Sequence, residues 1–160
     1  MTIQIGDSIP AMKLMTGTAD GPKEISTEEL FAGKTVVVFG VPGAFTPTCS
    51  AKHLPGFVQH AADFRAKGVG AVVCMAVNDP FVMAAWGRDQ GVGEDVIMLA
   101  DGSAAFTKAL GLELDLTARG LGLRCQRFAM VVKDGKVSHV AVEAAGAFEV
   151  SKAEAVLAAL

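Results

Sequence analysis

The stretch Pro42-Gly43-Ala44-Phe45-Thr46-Pro47-Thr48-Cys49 holds one sulfur nucleophile, two hydroxyls and two prolines within eight residues. A cysteine reacts as its thiolate, and a helix N-terminus favours that anion through its dipole and its unpaired N–H groups. The surrounding residues predict such a location for Cys49. Thr35 to Phe39 is β-branched and apolar on both faces, the pattern of a strand in a sheet covered on each side. Pro42 and Pro47 rule out its continuation. Each proline fixes its own φ and disfavours the helical region for the residue before it, so helix can begin only after Pro47, with Thr48 or Cys49 in its first turn. A small apolar cysteine packed where strand meets helix would suit the same position. Thr46, three residues earlier, carries a hydroxyl that can donate to a substrate oxygen or serve the helix as a cap.

Other chemistries are weaker matches to the spacing. His53 stands four residues after Cys49 and shares its predicted helix face, so a Cys-His hydrolytic pair is conceivable, but no third residue is evident to orient the ring. Disulfide exchange of the thioredoxin type needs a second cysteine three residues on, where Lys52 stands. No cysteine or histidine pair has zinc spacing. Gly33-Lys34-Thr35 superficially suggests a phosphate loop, but Glu28 occupies the place of the leading glycine and the segment precedes a strand instead of following one.

The eight-residue stretch resembles the signature of the peroxiredoxins. Ser50-Ala51-Lys52-His53-Leu54-Pro55-Gly56-Phe57 narrows the resemblance to the peroxiredoxin-5, or type II, branch. It continues through Val77-Asn78-Asp79-Pro80-Phe81-Val82-Met83, Ala100-Asp101-Gly102-Ser103, Leu110 to Asp115 and Arg127 to Val132, nearly the whole chain. The resemblance implies a thioredoxin-like fold and a peroxidatic Cys49, with Pro42, Thr46, Thr48 and Arg127 around the peroxide. Attack of sulfur on an O–O bond also needs a fixed positive charge for the departing oxyanion, and an arginine offers several donors in one plane where a lysine is a mobile point charge. Of the two nearby candidates, the resemblance favours Arg127 over Arg124, because the family's arginine opens the strand equivalent to Phe128–Val132. It makes His53 a lining residue.

The implied activity is reduction of hydrogen peroxide and alkyl hydroperoxides without metal, haem or flavin cofactor, in the service of redox homeostasis. Cys49 would become a sulfenic acid and need reduction. Cys74 lies in the apolar run Ala71–Ala76, where relatives of plant type also carry a cysteine, and reads as an inert core residue before a resolving one. Cys125 departs from the family pattern and is a remoter resolver, placed on the face of Arg127 if the chain between them is extended. No cysteine follows Cys125, so the expected reductant is an external thiol, glutathione with glutaredoxin first and thioredoxin second. The alternative is a redox sensor or holdase in which oxidation of Cys49 alters binding to a partner protein. The resemblance also implies a homodimer, with Phe45 and Phe81 as contacts.

The elements that must position these residues alternate between strand and helix. Ser26 to Glu29 has capping-box spacing. Helix is predicted from Cys49 toward Lys67, kinked at Pro55, with Phe57, His60, Ala61 and Phe64 on one stripe. Strands follow at Val69–Val77 and Val96–Ala100, separated by a helix from Pro80 to about Gly87 with Phe81, Ala84 and Ala85 inward. A helix ends near Gly111, a loop passes Gly120 and Gly122, and Arg127–Val132 pairs with Val137–Val142 through Asp134-Gly135. A helix from Ser151 to Leu160 completes a single α/β domain over residues 1–160, a mixed sheet flanked by helices. The length and the 51% hydrophobic, 19% charged composition suit one buried core. A net charge of -3 without a basic run argues against nucleic-acid or membrane partners. The absence of a signal-like amino terminus and the odd count of cysteines predict a cytoplasmic location.

Overall fold

A computed structural model describes all 160 residues. Strands β1 (Lys13–Thr18), β2 (Gly21–Ser26), β3 (Thr35–Gly40), β4 (Val69–Ala76), β5 (Ile97–Ala100), β8 (Phe128–Lys133) and β9 (Lys136–Val142) form one sheet in the order β2-β1-β5-β4-β3-β8-β9. The central pairs β3–β4 and β4–β5 are parallel, and all others are antiparallel. Helices α1 (Thr27–Phe31), α2 (Leu54–Gln59), α3 (Ala61–Ala66), α4 (Pro80–Asp89) and α5 (Ala105–Leu110) lie between strands, and α6 (Ala153–Ala159) follows β9. The capping box at Ser26 and Glu29 is present in both directions.

Alternation along the strands divides the core in two. Val37 and Phe39 of β3, Val72 and Cys74 of β4, and Ala129 and Val131 of β8 meet Cys49, Phe57, Phe64, Trp86 and Val156 on one face. Val36, Val38, Val73, Met130 and Val132 meet Leu30, Phe31, Phe106 and Leu110 on the other. Because side chains alternate, Arg127, just before β8, has the parity of Ala129 and belongs to the face that buries Cys49. The hairpin turn predicted at Asp134-Gly135 is confirmed, with both residues at positive φ (48° and 77°) as a two-residue primed turn requires.

Five local expectations are corrected. The chain does not run as one helix from Cys49 to Lys67. A π-helical turn, Cys49–His53, closes with the Leu54 N–H on the Cys49 carbonyl, then α2 and α3 follow with a break at His60 (φ −96°, ψ 11°). The cause of the wide turn is Pro55: it has no N–H for the Ala51 carbonyl and its ring crowds that oxygen. His60 therefore leaves the buried stripe and bonds Asp63 and Glu154 at the surface. On α4 the buried residues are Met83, Trp86 and Gly87, whereas Phe81 is 70% exposed. The supposed loop before Arg127 contains a small antiparallel pair, β6 (Glu113–Leu116) with β7 (Gly122–Cys125). β7 ends at Cys125, so no continuous strand joins that residue to Arg127.

Candidate active site

The segment between β3 and the π turn is fixed by its own short hydrogen bonds. The N–H of Ala44 donates to Asn78 Oδ1 at 2.9 Å, tying the segment to the end of β4. Thr46 donates its hydroxyl to the Gly43 carbonyl at 2.6 Å. It does not cap the helix, and the residue preceding the π turn, Thr48, makes no side-chain cap either. Pro42 and Thr48 are half-buried, and Cys49 is fully buried as the first residue of the π turn.

Arg127 reaches Cys49 from the opposite side. The register Gly40↔Phe128 carries Arg127 just past the end of β3, beside the segment that leaves that strand. A Cβ on Gly40 would lie 2.1 Å from the Phe128 ring, so this close approach requires glycine. Arg127 Nη2 donates to Cys49 Sγ at 3.1 Å, and Nη1 donates to His53 Nδ1 at 2.9 Å. Arg124 takes a different role: it donates to the carbonyls of Leu121 (2.8 Å) and Pro42 (3.3 Å), bracing the turn without touching the thiol.

His53, expected from the resemblance as a lining residue, is more closely engaged with the site than lining requires. Its Nδ1 faces a guanidinium, which can only donate, so the proton sits on Nε2 and is given to the Ser151 carbonyl at 3.0 Å. Burial among Phe39, Phe57 and Phe148 pulls its pKa from 6.5 to about 3, with the Arg127 charge adding to the drop and the Ser151 bond opposing it. The ring is neutral at pH 7 and orients Arg127.

Beyond it stands a group that sequence reasoning missed. Glu143 Oε2 accepts from Ser151 N and Oγ and from Glu149 N. Burial opposes the charge, yet these bonds hold the carboxyl below its ordinary range. Phe148 lies edge-on to His53 with centroids 5.0 Å apart, and its ring centroid is 5.9 Å from the Arg127 guanidinium carbon. Nothing in the local sequence distinguishes Glu143, Phe148 or Ser151: Glu143 bonds residues only six and eight positions on, and the link of that segment to the site runs through His53, 98 positions from Ser151.

The other two cysteines are buried and free. Cys74 lies opposite Phe39, and burial, aided by nearby Cys49, pushes its thiol well up. Cys125 donates to the Val41 carbonyl at 3.1 Å, and burial, followed by the Asp101 charge, raises its pKa to about 12.

A thioredoxin-like sheet with a buried cysteine held by an arginine at the start of β8 is the arrangement of a thiol redox protein. Comparison with known proteins sharpens this. Residues 4–157 match the redoxin family. Peroxiredoxin-2B of Arabidopsis thaliana is 48% identical over 159 residues, covering 99% of this chain and 98% of that one. The crystal structure of reduced Prx3 from Vibrio vulnificus in complex with hydrogen peroxide is 51% identical with a TM-score of 0.94, covering 99% of each chain. Peroxiredoxin 5 of Alvinella pompejana is 34% identical with a TM-score of 0.86, covering 98% of this chain and 96% of that one. The chain belongs to the peroxiredoxins, the thiol-dependent peroxidases.

Proposed function

We propose that Cys49 is the peroxidatic nucleophile of a peroxidase acting on hydrogen peroxide and alkyl hydroperoxides. The observation that carries this reading is the 3.1 Å bond from Arg127 to Cys49 Sγ, which places a permanent cation where both the thiolate and the departing oxyanion need one. The thiolate attacks one peroxide oxygen, an S–O bond forms as the O–O bond breaks, and the leaving oxygen takes a proton to become water or an alcohol. Thr46 turns its hydroxyl from the Gly43 carbonyl to the substrate, Pro42 and Thr48 flank it, and Arg127 contacts it. Cys49 is left as a sulfenic acid, two electrons more oxidised.

Reduction consumes two thiols: the first displaces water and forms a mixed disulfide with Cys49, and the second releases the protein thiol. We assign this role to an external thiol, glutathione with glutaredoxin ahead of thioredoxin. Supporting that assignment, Cys74 and Cys125 are buried, and both thiols are shifted away from the ionised form that attack requires. Three free cysteines fit a reducing cytoplasm, where we place the enzyme. We also propose a homodimer joined at the face where Phe45 (52%) and Phe81 (70%) are exposed.

The test is cysteine-resolved mass spectrometry on reduced protein given one equivalent of hydrogen peroxide, with and without glutathione, beside Cys49→Ser. Sulfenic acid confined to Cys49, converted to a glutathione adduct when that thiol is present, is the expected result. A Cys49 disulfide to Cys74 or Cys125 would replace the external thiol by an internal one. An unmodified Cys49 in the presence of persisting peroxide would sink the assignment of the nucleophile.

A further inference from the structure

Glu143 follows β9, and its N–H donates to the Arg127 carbonyl at 2.9 Å, adding one rung beyond the Phe128↔Val142 pair. Its side chain turns to the segment that leaves β9. There one oxygen accepts three bonds, from Glu149 N (2.8 Å), Ser151 N (2.8 Å) and Ser151 Oγ (2.6 Å). These bonds gather residues 144–150 into a strap, and the strap brings two groups to the site. One is the Ser151 carbonyl, which takes the His53 Nε2 proton; the other is the Phe148 ring, which packs on His53 and Arg127.

We propose that Glu143 is a positioning residue: through Ser151 and Phe148 it fixes the ring and tautomer of His53, and through His53 it holds the Arg127 guanidinium on Cys49 Sγ. The inference rests on Cys49 being the reacting atom. Arg127 must serve two acceptors from two different nitrogens, so its plane can lie in one orientation only. That orientation survives only while His53 Nδ1 carries no proton. The Ser151 carbonyl, which can accept but never donate, draws the proton to Nε2 and keeps Nδ1 open. Glu143 in turn sets where that carbonyl is. Glu143, a residue 9% exposed with three donors on one carboxylate oxygen, is a fixed anchor, whereas the strap itself is short, contains Gly146 at φ 76° and exposes Ala144, Ala145 and Gly146.

A role confined to holding the carboxyl-terminal helix would lower stability and leave the thiol chemistry of the folded protein alone. The experiment therefore reads the pH profile of Cys49 alkylation by iodoacetamide, resolved by mass spectrometry, and the second-order rate of peroxide consumption. It compares wild type, Glu143→Gln, His53→Phe and the double variant, with folding checked by circular dichroism at the same temperature. Glu143→Gln is expected to move alkylation to higher pH and slow peroxide consumption about tenfold, the loss of one charge-assisted bond's worth of positioning. In the His53→Phe background the same change is expected to alter neither by more than about twofold, since the link is already cut. A wild-type alkylation profile in folded Glu143→Gln, or an equal tenfold loss in both backgrounds, would overturn the proposal. If Glu143→Gln does not fold, Ser151→Ala removes one donor only and carries the same comparison, with an expected effect of about threefold. Alkylation reports the thiolate without requiring peroxide turnover, so this inference and the peroxidase assignment, scored by Cys49→Ser, fail separately.

Discussion

His53 concentrates the difference between a residue type and a residue's work. Four residues from a cysteine it looks like a base, yet its Nδ1 lone pair is occupied by Arg127 and its pKa falls to about 3, chiefly through burial. In an unfolded chain the ring would take a proton near pH 6.5, whereas the folded one refuses it. The unfolded state therefore binds more protons as pH drops, so the stabilisation by neutral His53 is complete above about 6.5 and is lost progressively down to about 3. The slope approaches about 1.4 kcal/mol per pH unit well below 6.5. Urea unfolding between about pH 6 and pH 4 should show His53→Phe losing less stability per pH unit than wild type, and equal slopes would remove His53 as the source. The meeting of Cys49 and Arg127 was legible in the sequence because prolines mark the one and a family signature the other. The bonds of His53 to Arg127 and Ser151 span 74 and 98 positions, and no periodicity announces a pairing made only by the folded sheet.

Among the elements, the buried strands of the mixed sheet and the late hairpin could be read because long β-branched runs and an Asp-Gly turn are strong signals. Helix α4 could not be oriented, for a physical reason. Phe81, Ala84 and Ala85 form one apolar stripe at helical spacing, and Met83, Trp86 and Gly87 form another two positions on. The choice belongs to the neighbouring strand. A Cβ on Gly17 of β1 would sit 2.4 Å from the Pro80 carbonyl and 2.5 Å from the Ala84 nitrogen, so the α4 backbone lies directly on that glycine. Gly17→Ala should push the helix off the sheet and destabilise the protein by about 1–3 kcal/mol, measured by urea titration followed by circular dichroism. An unchanged midpoint would mean that the contact is looser than this geometry. The β6–β7 pair went unseen because two four-residue strands, with Gly120 between them and Gly122 opening the second, read as loop.

At the scale of the whole molecule, the turn that delivers Cys49 also carries an exposed aromatic ring. Phe45, held at φ 63°, points its ring outward at the end of the segment that delivers Cys49, and Phe81 is exposed at the start of α4. Sedimentation velocity should find wild type as a dimer and the Phe45→Glu, Phe81→Glu double variant as a monomer, because two carboxylates on each copy would meet across a symmetric contact. A variant that stays dimeric would move the interface elsewhere. Behind Phe45 stands the chain's single tryptophan, Trp86, with ring centroids 6.5 Å apart, and its indole N–H donates to the hydroxyl of Ser50, the residue after Cys49. Trp86 is thus a native optical probe, fully buried between the exposed Phe45 ring and the turn that bears Cys49. In the proposed dimer and the proposed cycle, its emission colour and intensity are expected to report in real time, without a label, both the joining of two copies and each oxidation of Cys49.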